Sequence, residues 1–186
     1  QLAAAVGSVE LVSTSGEVER LREIKDRGEI TTIRRAVRIA ERAFAATRVM
    51  MRDGQSEREV AFELEHQVRM LGARGCSFDP IVAVGPRAAL PHATPTERQI
   101  GESDFVLIDW GADFQMYRSD LTRILVTGKI SPKLERIYAI VLKAQQQAIK
   151  AIRPGAVMKK VDAAARGVIE KAGFGKKFGH SLGHGI

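Results

Sequence analysis

From Val18 to about Met51 the apolar residues Leu21, Ile24, Ile33, Val37, Ala40 and Phe44 fall three, four or multiples of those positions apart. That period predicts helix, with a break near Gly28. A second helix opens at Ser56-Glu57-Arg58-Glu59, where the serine hydroxyl can accept the Glu59 N–H and the glutamate can reach back to the cap. Val60, Leu64, Val68 and Leu71 form its apolar face, and Gly72 ends it. Residues 79 to 128 change character. FVLI before Asp109 and RILV after Thr122 are apolar and β-branched, and Pro80, Gly85, Pro86, Pro91 and Pro95 punctuate the approach, so this region reads as strands and loops. Ser131-Pro132 begins a helix to about Ile152, ended by Pro154-Gly155, and a last helix runs from about Met158 to Ala172, with Gly173 after it. Within residues 1–17, VELVST reads as one strand followed by a Ser15-Gly16 break.

The pattern repeats. Sliding the sequence by 101 positions places Arg52 on Arg153, Gly54 on Gly155, Val60 on Val161, Val68 on Ile169 and Gly72 on Gly173. Each copy is a helix, an Arg-x-Gly turn, a helix and a glycine. A period this long indicates duplication of a large unit, not a solenoid. The first copy continues into the strand region that ends near Gly128, and the second would have to run well beyond residue 186 to match it.

Composition narrows the class. The 186 residues are 45% hydrophobic and 27% charged with a single cysteine, Cys76, which excludes a disordered chain and an internal disulfide framework. No apolar run reaches the roughly 20 residues of a membrane span, and the first residues lack the pattern of a signal peptide, so a cytoplasmic location with Cys76 reduced is expected. The net charge of +7 comes from 29 basic and 22 acidic side chains, interleaved along the helices with few aromatics. A solvated surface is expected from this, without a nucleic-acid or membrane partner.

Chemistry concentrates in VLIDWGADFQMYRSDLT. A hairpin centred between Phe114 and Gln115 would set Asp109 directly opposite Asp120, on one face, with Cβ atoms about 5 Å apart. Two carboxylates so placed repel, and require protons, an arginine or a divalent cation. The alternative is an exposed hairpin with Arg118 or Arg123 neutralising one of them. In His180-Ser-Leu-Gly-His184-Gly-Ile the glycines argue against helix and for a strand or loop that presents imidazoles, one of which could complete a site begun by the aspartates. A mixed His/carboxylate set suits Mn, Co, Zn or Fe better than Ca. His92, in the proline-flanked ALPHATP, is either a substrate-facing imidazole or an ordinary loop histidine. His66 reads as surface and Cys76 as packing.

GPRAALPHATPTERQI, FVLIDWGADFQMYRSDLTR, IRPGAVMKKVDAAARGVIEKAGFG and FGHSLGHGI in this order resemble the Xaa-Pro peptidases, the proline-specific aminopeptidases and dipeptidases of the pita-bread metallopeptidase superfamily. The resemblance starts at about residue 18. It implies an α+β pita-bread fold, a curved and largely antiparallel sheet covered by helices, whose pseudo-twofold second half is incomplete here. Residues 1–17 would be the tail of a preceding creatinase-like domain or a linker, and residues 18–186 an incomplete catalytic domain.

By the same resemblance Asp109 would hold one metal ion, Asp120 would bridge two and His184 would bind the other. His92 and His180 would be the catalytic histidines that position the scissile carbonyl and stabilise the tetrahedral intermediate. The cofactor would be two divalent ions, Mn foremost with Co or Zn as alternatives, which share a nucleophilic hydroxide. The partners would be a peptide with proline in its second position and a second copy of the chain in a homodimer. The family also uses two glutamates and a histidine after the GHGI segment. Without them the chain, as a C-terminally truncated enzyme, is expected to bind metal weakly and to lack normal catalysis. Competing readings on the same fold are a methionine aminopeptidase, a creatinase-like hydrolase without metal, and a binding protein that has lost catalysis.

Overall fold

The computed structural model describes residues 12–185. Of the strand expected over VELVST, residues 9–11 lie outside the described residues, and Val12 to Thr14 belong to no strand. Two helices follow, α1 (Glu17–Glu23) and α2 (Arg27–Met50). The break falls at Ile24–Asp26 and not at Gly28, because Asp26 is the cap: its carboxylate accepts the Glu29 N–H at 2.8 Å, and Glu29 accepts the Asp26 N–H at 2.7 Å. The core face of α2 is Ala36, Ile39, Ala40, Ala43 and Thr47, with the larger Ile33, Val37 and Phe44 only half-buried beside it. Small side chains at its centre let a sheet approach the helix backbone.

Ser56 caps α3 (Glu57–Met70) with the reciprocal bonds the sequence predicts. The sheet that α2 and α3 cover has the order β1-β2-β5, built from β1 (Ile81–Val84), β2 (Phe105–Trp110) and β5 (Leu121–Val126), all antiparallel. Val82, Val84, Val106, Ile108 and Trp110 point into the helices and are buried. Between β2 and β5, the two-residue strands β3 (Asp113–Phe114) and β4 (Tyr117–Arg118) close a tight hairpin. Its tip residues Gln115 and Met116 have φ of 52° and 67°, as a two-residue hairpin turn of this hand requires. The turn is therefore centred between Gln115 and Met116, one position later than expected. Asp109 pairs with Thr122, and not with Asp120 as the sequence reading had it. The shift is two residues of register, so both aspartates keep the same face and become diagonal neighbours.

The second helix pair, α4 (Pro132–Ala151) and α5 (Met158–Lys171), packs its own core of Ala144, Ala148, Val161, Ala165 and Ile169. The repeat extends to backbone hydrogen bonds. Gln55 N–H to Arg52 C=O, Leu71 to Gln67, Gly72 to Arg69 and Ala73 to Val68 recur as Ala156 to Arg153, Ala172 to Val168, Gly173 to Glu170 and Phe174 to Ile169. Gly72 and Gly173 have φ of 94° and 87°, the left-handed conformation that ends a helix on glycine, and Gly54 and Gly155, in the turns between the paired helices, have 87° and 77°. The duplication read from four identities is thus a duplication of geometry. Among the described residues no helix is long and apolar enough to cross a membrane.

Gly111 is fixed by contact, not by dihedral angle. A Cβ there would lie 1.7 Å from the Ser119 carbonyl oxygen and 2.1 Å from Ser77 Oγ. Gly111→Ala is expected to destabilise the chain by about 3 kcal/mol or more, because the obstacle is backbone and cannot rotate away. Equilibrium denaturation of the variant measures it, and a midpoint equal to that of the parent chain would contradict the packing described.

Candidate metal centre

Each aspartate is positioned by the residue beside it. Trp110, next to Asp109, stacks on Phe44 at 4.5 Å between ring centroids and donates its indole N–H to the Ala40 carbonyl at 3.0 Å. Ser119, next to Asp120, donates its hydroxyl to the Ala36 carbonyl at 3.3 Å and accepts the Ala112 N–H at 3.0 Å, while its own carbonyl accepts the Ser77 hydroxyl at 2.7 Å. Carbonyls one turn apart on α2 therefore hold the two strands that carry the pair. The alanine face of α2 makes this approach possible.

Along β2, residues 106, 108 and 110 face the helices, so Asp109 faces the other side of the sheet, where it is half-buried. Burial, and then the neighbouring Asp120 carboxylate, push the Asp109 carboxyl up to about 6, against the pull of the Thr122 hydroxyl and of His184. Asp109 Oδ1 is buried without a hydrogen-bond partner. Neither candidate arginine relieves the pair: Arg118 lies 3.5 Å from Asp113, and Arg123 donates to the Thr122 carbonyl.

His184 does reach the pair. Its Nε2 lies 3.8 Å from Asp120 Oδ2. Its Nδ1 lies 3.0 Å from the Gly185 carbonyl oxygen, which can only accept, so Nδ1 is the donor of that contact and Nε2 is the nitrogen turned toward the carboxylate. An imidazole nitrogen and a carboxylate that face each other beyond hydrogen-bond distance, beside an orphaned carboxylate oxygen, suit a divalent cation held by oxygen and imidazole nitrogen. The set is partial: among the described residues no three His, Cys, Asp or Glu side chains close on one point. Asp120 is the shared member of the Asp109–Asp120 and Asp120–His184 pairs.

The two other candidate histidines are not gathered with them. His92 is exposed and makes no side-chain hydrogen bond among the described residues. The ring of His180 packs edge-on to Phe178 at 5.4 Å between centroids, and its Nδ1 lies 2.7 Å from the Ser181 carbonyl oxygen. His66 is exposed, as expected. Cys76 is half-buried, and burial and then Glu65 push its thiol up out of the reactive range, in keeping with packing.

Glu57 is the residue that sequence reading passed over. Placed at the first position of α3 it looks like an exposed helix-start acid, yet it is fully buried. Its carboxylate accepts the Val84 N–H at 2.8 Å, the Thr96 N–H at 2.9 Å, the Thr96 hydroxyl at 2.7 Å and Arg87 Nε at 3.1 Å. Burial alone would raise its carboxyl, but these donors together hold it below the ordinary value. Arg87 also donates to the Thr94 carbonyl at 2.7 Å. Glu57 thus ties both ends of the loop that carries His92. The available signal was Arg87, a lone cation in a proline-marked loop.

Comparison with known proteins bears on family and fold. The family model for metallopeptidase family M24 matches residues 31–186. The Xaa-Pro dipeptidase of Pyrococcus horikoshii is 42% identical over 169 residues, which cover 91% of this chain and 48% of that protein. An uncharacterised peptidase of Bacillus subtilis is 42% identical over 183 residues, 98% of this chain and 52% of that one. Among solved structures, an Xaa-Pro dipeptidase from Bacillus anthracis superposes with a TM-score of 0.92 at 45% identity, and covers 96% of this chain and 50% of its own. An X-Pro aminopeptidase from Thermotoga maritima gives 0.89 at 38% identity, with 94% and 50% covered. The α+β pita-bread architecture expected from the sequence is the one observed, and the chain spans about half the length of these relatives.

A carboxyl whose folded-state value is raised from about 4 to about 6 costs stability above pH 6, where both states are ionised, and costs none below pH 4, where both are protonated. Asp109→Asn is therefore expected to stabilise the metal-free chain at pH 7.5 by about 2 kcal/mol, once residual screening is allowed for, or about 5 °C in Tm. The gain should close as pH falls from 6 to 4. Calorimetry across that range checks it, and a gain that is absent at pH 7.5 or independent of pH would contradict it.

Proposed function

The chain belongs to metallopeptidase family M24, and on that premise we propose that the whole protein is a metal-dependent hydrolase of the peptide bond preceding proline, an Xaa-Pro dipeptidase or aminopeptidase. The observation that carries the proposal is the arrival of Asp109, Asp120 and His184, from three separate segments, at one side of the sheet around a carboxyl that no arginine or lysine among the described residues pairs with. Two divalent ions, with manganese the leading candidate and cobalt or zinc as alternatives, would supply an activated water and a positive field for charge that develops on the scissile carbonyl.

The chain's own residues then have distinct tasks. Asp120, between the other two, would bridge, Asp109 would hold one ion on the half-buried side, and His184 would offer Nε2 to the other. His92, on the loop that Glu57 ties at both ends, and His180, beside the ligand segment, are the groups proposed to hydrogen-bond the substrate carbonyl and to move a proton to or from the reacting atoms. Two further carboxylates, which the resemblance places after the GHGI segment, would complete the set, so the 186 residues alone are proposed to be inactive. A peptide with proline in second position is the proposed substrate, and a cytoplasmic homodimer the proposed setting. The competing reading from a different class is a binding module on the same fold, and the retention of Asp109, Asp120 and His184 together counts against it.

The whole protein is expected to cleave Xaa-Pro peptides only with added Mn²⁺ or Co²⁺, and the 186-residue chain not at all. Asp120→Ala should lower turnover by more than about a hundredfold, beyond the loss typical of an outer partner of a metal ligand. Steady-state assays with and without metal test this. Undiminished cleavage by Asp120→Ala would overturn the bridging role, and absence of any Xaa-Pro cleavage with either metal would favour the binding module.

A further inference from the structure

The segment after α5 carries His180 and His184 with almost nothing of its own to hold it. Residues 179–185 form no helix or strand, include three glycines, and take part in no backbone–backbone hydrogen bond among the described residues. Such a backbone samples many paths, and a ligand at its end would be spread over all of them. One pair of side chains on α5 supplies the missing bonds. Arg166 donates to the Phe178 carbonyl and to the His180 carbonyl, each at 2.9 Å, and its guanidinium lies 4.4 Å from the centroid of the Phe178 ring. Asp162 accepts the Leu182 N–H at 2.9 Å. The two side chains also hold each other in a fork, with Arg166 Nε 2.7 Å from Asp162 Oδ2 and its Nη2 3.0 Å from Oδ1.

We propose that Asp162 and Arg166 are positioning residues that set the path of residues 178–182 and so deliver the His184 imidazole to Asp120. This rests on the reading of His184 as a metal ligand. The first copy of the repeat supports the idea from a separate place. There Glu65 pairs with Arg69 on α3 and accepts the Cys76 N–H at 2.8 Å, while Arg69 donates to the Arg74 carbonyl, so the chain leaving the helix after Gly72 is also pinned by an acid–arginine pair one turn apart. In the first copy the pinned segment leads into the sheet. In the second it leads to the site.

The test uses the 186-residue chain and two readouts, one of them free of metal. In the parent chain an NOE is expected between the His184 ring Hε1 and Asp120 Hβ, together with slow exchange of the Leu182 amide. Asp162→Ala and Arg166→Ala should lose both while helix content by circular dichroism stays unchanged, and Arg166→Lys, which can still reach one carbonyl, should recover part of each. Co²⁺ affinity, followed by visible absorption, should fall at least tenfold in the alanine variants. Retention of the NOE in both alanine variants, or its loss with Co²⁺ affinity unchanged, would overturn the proposal. If the parent chain takes up no Co²⁺, the incomplete ligand set accounts for it, and the NOE with the Leu182 amide exchange decides whether the pair positions the ring.

Discussion

Asp109 on β2 and Asp120, just before β5, are diagonal neighbours across the pair, and none of the chain's arginines or lysines among the described residues pairs with either. The structure bears this cost at the centre of its sheet, and the surrounding elements keep the two groups from drifting apart. Trp110 and Ser119 hook the flanking positions onto carbonyls one turn apart on α2, and Gly111 leaves room for the Ser119 carbonyl to lie against β2. Without these fastenings the carboxylates could separate into solvent, and the electrostatic demand that invites a cation would vanish.

A second layer of organisation recurs at larger scale. Acid–arginine pairs hold chain segments that lack ladder hydrogen bonds: Glu57 with Arg87 under the loop that carries His92, Glu65 with Arg69 after α3, and Asp162 with Arg166 after α5. Where such a pair is buried, as at Glu57, the donors around the carboxylate offset the loss of water, and removal of one partner would leave a stranded charge.

Much of the fold was legible because its punctuation is chemical. The Ser56 cap, Pro132 after Ser131, and the paired glycines of the repeat all act through local backbone geometry, which a single sequence displays. The break at Asp26 was placed late because a glycine is a louder signal than an aspartate cap. Of the apolar residues that set the period of α2, Ala40 lies in the core while Ile33, Val37 and Phe44 are half-buried, because close sheet approach selects Ala36, Ala40 and Ala43. At the site, the residue types at Asp109, Asp120 and His184 pointed to metal chemistry, but the register was set by a Gln115-Met116 turn that carries no sequence signature. The roles of Glu57 and Asp162 were hidden because their partners, Thr96 and Leu182, are neighbours only in three dimensions.

A divalent cation would resolve this electrostatic conflict. Anomalous scattering from a crystal of the chain soaked in Mn²⁺ near pH 7 tests it most directly. Two peaks are expected that share the Asp120 carboxylate, one beside the Asp109 carboxylate and the other beside His184 Nε2. A site without either peak at saturating Mn²⁺, with the two carboxyl groups sharing a proton in their place, would contradict it.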